Sequence, residues 1–220
     1  ARGSAVRIHT SIRRGKHARR SVTSSFWQEK VVLITGGTGS LGTALSEQLL
    51  ESPLRALRIL SRDEHDQAAR NVSHSDERIR MLLGDVRDTR RIERAMDGTQ
   101  IVIHAAALKR ADALEYNSPE AVHTNITGSE NVVNAAIDQG VAQAVLISSD
   151  KAVRPANIYG ATKMIAEQLF LRPYTGTAGP TFSVCRFGNF IGSRGSVVPM
   201  WRAQRGRVAD QPMPMSVTPS

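Results

Sequence analysis

Six short apolar runs recur along the chain: KVVLIT at 30–35, ALRILS at 56–61, IRMLLG at 79–84, IVIHAA at 101–106, AVLISS at 144–149 and FSVCRF at 182–187. Each is nearly continuous in apolar residues rather than alternating. That is the pattern of strands covered on both faces of a parallel sheet. Stretches with helical spacing lie at 40–51, 63–71, 88–96, 118–139 and 157–171. This alternation predicts an α/β fold built on a doubly wound parallel sheet.

Composition narrows the class without changing the fold. The chain has 220 residues, enough for one domain with a full core, and 40% hydrophobic with 22% charged residues fits a globular protein. No apolar run approaches the ~20 residues of a membrane helix, so no span is expected. The single cysteine, Cys185, excludes an internal disulfide. It permits a reducing compartment, and a cytoplasmic location is expected. Within FSVC it reads as a small buried hydrophobe.

The net charge of +9 suggests nucleic acid until it is located. Seven of those charges, on Arg2, Arg7, Arg13, Arg14, Lys16, Arg19 and Arg20, precede the first acid at Glu29. The body is close to neutral, so nucleic acid is not an expected partner. The Ser- and Arg-rich segment 1–28 reads as a disordered tail or linker, with a targeting peptide or an anion- or RNA-contacting arm as alternatives. Residues 29–195 form the expected dinucleotide-binding domain. Residues 196–220 read as the start of a second, incomplete substrate domain, because no element pattern follows RGSVVPMW.

The segment TGGTGSLG at 35–42 follows the first strand and opens the first helix. Gly36 allows a tight turn, Gly39 lets the backbone approach a pyrophosphate, and Gly42 lets helix and strand pack closely. N–H groups at the helix start then face the anion. Thr35, Ser40 and Leu41 complete this loop. The strand–turn–helix context is what gives the glycine spacing its meaning. The second strand ends in LSRDE, where Ser61 and Arg62 suit a 2′-phosphate, so NADP is expected rather than NAD. Asp63 is placed to cap the next helix. Sheet order brings Asp85 and Val86 toward the adenine. Ala105, Ala106 and Ala107 are small enough for the cofactor to lie against the backbone. No metal site is expected.

Tyr159 and Lys163 lie one turn apart on a predicted helix and share a face. A lysine ammonium and a nicotinamide cation both lower a nearby phenol's pKa. The phenolate can then take a proton from an alcohol as hydride leaves its carbon. Ser149 can hydrogen-bond the same oxygen. Asp150 and Lys151 follow at the C-terminal edge of the fifth strand, where ligands bind in such sheets. There they can serve as acid and base for an elimination.

The ordered series TGGTGSLG, LSRDE, GDVRD, HAAALK (104–109), TNITG (124–128), SSDKA (148–152), NIYGATK (157–163) and RFGNFIGSRGSVVP (186–199) resembles the extended short-chain dehydrogenase/reductases. Within them it resembles the bacterial inverting UDP-N-acetylglucosamine 4,6-dehydratases of surface polysaccharide biosynthesis. The resemblance implies that Tyr159 is the base at the C4 alcohol, with Lys163 as its partner. Asp150 would be the acid for the C6 hydroxyl and Lys151 the base at C5. Lys109 and Asn125 would line the cofactor or substrate. Asn189, with Arg194, Gly195, Ser196 and Val197, would hold the nicotinamide end and the sugar diphosphate. A UDP-amino sugar substrate, bound NADP and a homo-oligomer are expected. Family members continue past this point and complete a sugar-binding domain. A nucleotide-sugar 4-epimerase and a non-catalytic NADP-binding fragment are the alternatives; an epimerase has no need of the 150–151 pair.

Overall fold

The computed structural model describes residues 24–73, 76–173 and 179–189. Six strands form: β1 (Val31–Thr35), β2 (Ala56–Ser61), β3 (Ile79–Leu83), β4 (Ile101–His104), β5 (Gln143–Ser149) and β6 (Thr181–Phe187). They make one sheet in the order β3-β2-β1-β4-β5-β6, with every pair parallel. The order reverses between β1 and β4, the point where a doubly wound sheet opens a crevice at its carboxyl edge. The predicted α/β class and all six strands are present.

Helices cover both faces. Helix α2 (Ser40–Leu50) packs on one, and α4 (Thr89–Met96), α7 (Gly128–Asp138) and α8 (Ile158–Leu171) on the other. Strand β1 shows why its run is unbroken in apolar residues. Val32 and Ile34 enter one core with Leu49, Leu57 and Ile59, while Leu33 enters the other with Ile92, Val132, Leu146 and Phe170. Arg58, an apparent blemish in ALRILS, donates to the carbonyls of Ala95 (2.9 Å) and Asp97 (2.6 Å) and so closes the C-terminus of α4.

The edge strands differ from expectation. Leu83 on β3 is 51% exposed. On β6, Phe182 and Val184 pack against the core while Cys185 is exposed. Cys185 is therefore not the buried hydrophobe its apolar neighbours suggest. An edge strand alternates between a packed and an open face, and Cys185 has the parity of the open one.

The expected helix at 118–139 is broken into three: α6 (Ser118–Ala121), a π-helical turn (Val122–Thr127) and α7. A short helix, α5 (Ala111–Tyr116), precedes them and was not expected. One helical turn, α1 (Ser24–Trp27), lies inside the segment read as a disordered tail, with Trp27 packed against the core of Val32 and Ile34. Helix α3 (Glu64–Ser73) begins where Asp63 accepts from the Asp66 N–H at 3.0 Å, the cap expected of it. Residues 1–23, the predicted domain beginning at 196, and Arg194, Gly195, Ser196 and Val197 lie outside the described residues. Among the described residues no helix is long and apolar enough to cross a membrane.

Candidate active site

A cavity of about 930 Å³ lies along the carboxyl edge of the sheet, running from the glycine loop to Tyr159 and Lys163. The loop is shaped by backbone contact. Gly36 has φ +67°, and a Cβ there would stand 2.7 Å from the Ala106 backbone. A Cβ on Gly42 would stand 2.4 Å from Gly37. Gly39 is the N-cap of α2 and puts no side-chain cap over the helix terminus. Gly39, Ser40, Leu41 and Gly42 all line the cavity. A glycine-walled floor opening onto a helix N-terminus fits a dinucleotide's pyrophosphate.

At the far end of this floor, Arg62 lines the cavity about half exposed and lies 3.5 Å from Asp85. Ser61 also lines it, but its hydroxyl accepts from Gln67 Nε2 at 2.9 Å and is buried. Val86 is on the wall. Asp85 is not among the lining residues: Arg87 donates to it at 2.9 Å from its backbone and 2.8 Å from Nη2. Burial works to raise the Asp85 pKa, but the Arg87 bonds and the Arg62 charge hold it below its usual range. Ala105, Ala106, Ala107 and Lys109 line the wall after β4.

Two residues expected at the cofactor lie behind the wall instead. Thr35 is buried, its Oγ1 2.6 Å from His104 Nδ1. Asn125, on the π-helical turn, is buried with its amide spent. Its Oδ1 accepts from the Leu108 N–H at 2.8 Å, and its Nδ2 donates to the Leu108 carbonyl (2.9 Å) and Thr162 Oγ1 (3.0 Å). Asn125 thus clips the loop after β4 to α8.

The candidate reactive groups converge where β5 ends. Asn157 caps α8 by accepting from the Gly160 N–H at 2.9 Å, and α8 then presents Tyr159 and Lys163 to the cavity. Lys163 is 3% exposed and its Nζ donates to the Ile147 carbonyl at 2.7 Å. Burial pulls its pKa down to about 8, against the opposing charge of Glu167. Burial pushes the Tyr159 phenol up; a Ser149 hydrogen bond opposes this and the Asp150 charge adds to it. The residues alone therefore do not acidify Tyr159, and the nicotinamide cation invoked from sequence would have to.

Ser149 is the N-cap of the 3-10 turn Asp150–Ala152. Its Oγ donates to Asp150 Oδ1 at 2.9 Å, and Lys151 Nζ donates to the same oxygen at 3.1 Å. The Lys151 bond, with help from Ser149, holds Asp150 below the usual carboxylate range. Lys151 Nζ also donates to Asn189 Oδ1 at 2.8 Å, so Asn189 meets the Asp150–Lys151 pair directly. Gly160 makes this docking possible: a Cβ there would stand 2.4 Å from the Lys151 carbonyl oxygen.

Sequence reasoning missed a buried cluster behind the site. Glu167 is fully buried, accepting from Ser148 Oγ and from Arg186 Nε at 2.8 Å. The signal was available: Glu167 stands four residues after Lys163, on the face of α8 whose apolar members enter the core.

The sequence pattern of the polysaccharide biosynthesis protein family matches residues 32–218. The chain belongs to that family. Among curated relatives within reach of this family, an inverting UDP-N-acetylglucosamine 4,6-dehydratase of Campylobacter jejuni is 44% identical over 79% of this chain and 53% of that protein. A UDP-glucose 4-epimerase of Rickettsia canadensis is 39% identical over 79% of this chain and 52% of that protein. The solved structure of Pen from Bacillus thuringiensis superposes with a TM-score of 0.80 at 42% identity, covering 82% of this chain and 56% of that one. The chain spans about half the length of the curated relatives it matches.

Proposed function

We propose that this chain supplies the NADP-binding and catalytic half of a UDP-N-acetylglucosamine 4,6-dehydratase that inverts C5. The observation that carries the reading is Lys151, which lines the same cavity as Tyr159 and Lys163 and is hydrogen-bonded to Asp150. A nicotinamide dinucleotide held by the glycine loop, Arg62 and the wall after β4 would supply hydride acceptance from C4 and hydride return to C6. Tyr159 takes the proton of the C4 hydroxyl as that carbon is oxidised. The resulting C4 ketone acidifies the C5 proton, which Lys151 removes. Asp150 protonates the departing C6 hydroxyl, and water leaves across C5–C6. Return of a proton to C5 from the opposite face completes the inversion, and the reaction is redox-neutral overall. Arg62 at the cavity's adenosine end supports a 2′-phosphate, and hence NADP. A single cysteine is compatible with a cytoplasmic setting.

The deciding experiment incubates a version extended by its natural downstream sequence with UDP-N-acetylglucosamine in deuterium oxide. The expected product is a 4-keto-6-deoxy sugar with deuterium at C5, followed by NMR. A dinucleotide-loaded protein that forms no such product would sink the reading. The Rickettsia canadensis relative motivates a second reading, a 4-epimerase. It predicts a C4 epimer with no deuterium at C5.

A further inference from the structure

The oxidising and eliminating groups leave one feature unused: the buried carboxylate of Glu167. Its Oε1 accepts from Ser148 Oγ and Arg186 Nε, and its Oε2 from Arg186 Nη2. A pair with a half-exposed arginine is weak grounds for stability, because solvent screens the attraction. The surroundings of this one point to the reaction.

Lys163 is nearly as buried as Glu167, and a buried ammonium needs a nearby anion. The charged and titratable groups around it come from four elements. On α8 are Glu167 and the phenol of Tyr159. On β4 is His104, which burial and the Lys163 charge keep neutral, with a pKa near 3. After β5 is Asp150, exposed and paired with Lys151. On β6 is Arg186, a cation. Among these, Glu167 is the buried anion. Its partners also adjoin working groups. Ser148 precedes Ser149, and Arg186 lies three residues before Asn189, which accepts from Lys151.

We propose that Glu167 is a positioning residue of the reaction. Its carboxylate keeps the Lys163 ammonium charged beside Tyr159 and ties β5 to β6, so that Ser149 and Asn189 stay aimed at the cavity. This rests on reading Tyr159 and Lys163 as the oxidising pair.

The test reads Lys163 directly, without substrate. The chain is labelled with carbon-13 at lysine Cε and titrated by NMR, the resonance being assigned by its loss in Lys163→Met. The unsubstituted chain should titrate near pH 8. Glu167→Gln removes the anion and keeps the shape, so the midpoint should fall by about one pH unit. Arg186→Gln strips the competing cation from Glu167, so the midpoint should rise. Opposite movements support the proposal. Stationary midpoints, or two movements in one direction, overturn it, because loosened packing admits water to the buried ammonium and raises both midpoints. Should Glu167→Gln not fold, Glu167→Asp takes its place, drawing the anion back from Lys163: a fall beside the Arg186→Gln rise supports, and anything else overturns. If both shifts occur but the extended protein makes no dehydrated sugar, the functional reading fails and the Glu167–Lys163 coupling stands.

Discussion

Gly160→Ala is the smallest change that should separate the two sets of reactive groups. The added methyl would stand 2.4 Å from the Lys151 carbonyl oxygen and 3.0 Å from Pro155 Cβ, where ordinary contact begins near 3.4 Å. The turn carrying Asp150 and Lys151 must therefore retreat from α8 by about 1 Å. Stability should change little. Alanine gains about 1 kcal/mol of helix propensity over glycine, while forcing a methyl into a packed site costs about 1–3 kcal/mol. The net loss is roughly 0–2 kcal/mol, which lowers Tm by about 0–8 °C in a domain of this size. The rate is far more sensitive: a 1 Å misplacement of a reacting group can cost on the order of 100-fold. Tyr159 and Lys163 stay on their helix and Ser149 on its strand, so the loss should fall on elimination. The assay is deuterium entry at C5 in the extended protein, followed beside oxidation at C4 and a thermal melt. Deuterium entry at the parent's rate in a folded Gly160→Ala variant would refute the reasoning.

Arg62→Ala should raise the Kd for NADP by about 10–100-fold, the worth of a charge-assisted contact, and leave that for NAD unchanged by calorimetric titration. Asn125→Ala strands the Leu108 N–H and carbonyl, and should cost about 1–3 kcal/mol in a denaturant melt. His104 is held neutral by burial, with a pKa near 3 against an ordinary 6.5. The unfolded chain takes up a proton as pH falls through about 6.5, and the folded chain resists until about pH 3. Stability from this residue is thus full above pH 6.5 and lost progressively below it, by up to about 5 kcal/mol. His104→Asn should flatten the fall in melting temperature between about pH 6.5 and 4.5, where few other groups titrate.

The sheet was legible because strands covered on both faces leave unbroken apolar runs, as Val31–Thr35 does. The same cue misled at the edge. Cys185 sits in an apolar run, yet on β6 only alternate residues find a core. The broken helix was illegible for a related reason: its periodicity continues through the π-helical turn, where Asn125 reaches across to Leu108 and Thr162. Such a contact is long-range and leaves no local signature. The glycine loop and the Tyr159–Lys163 spacing could be read because turn geometry and helical pitch are local. Glu167 carried a partial cue, its place four residues after Lys163 on the core-facing side of α8, but its pairing with the half-exposed Arg186 of β6 is long-range and leaves no local signature.

The acid–base pair sets an energetic requirement on the proposed reaction. Elimination needs Asp150 protonated and Lys151 neutral, whereas the pair is an ion pair with Asp150 held below its usual range. The required state differs by one proton moved along the existing 3.1 Å hydrogen bond. In water, moving a proton from an ammonium to a carboxylate is steeply uphill. Water is what makes the charged form cheap, and here both side chains are wet: Lys151 is 39% and Asp150 58% exposed. Removing solvent penalises each ion by several kcal/mol and the neutral pair hardly at all. A sugar laid over the turn would supply that desolvation, and would also compete with Asn189 for the Lys151 ammonium. Covering the pair is then the step that prepares it to react. Oxidation at C4 has no such requirement, since Lys163 is already buried and stays charged through Glu167. On this physics, whatever holds the sugar over residues 150–151 governs whether an oxidised intermediate loses water or simply returns to substrate.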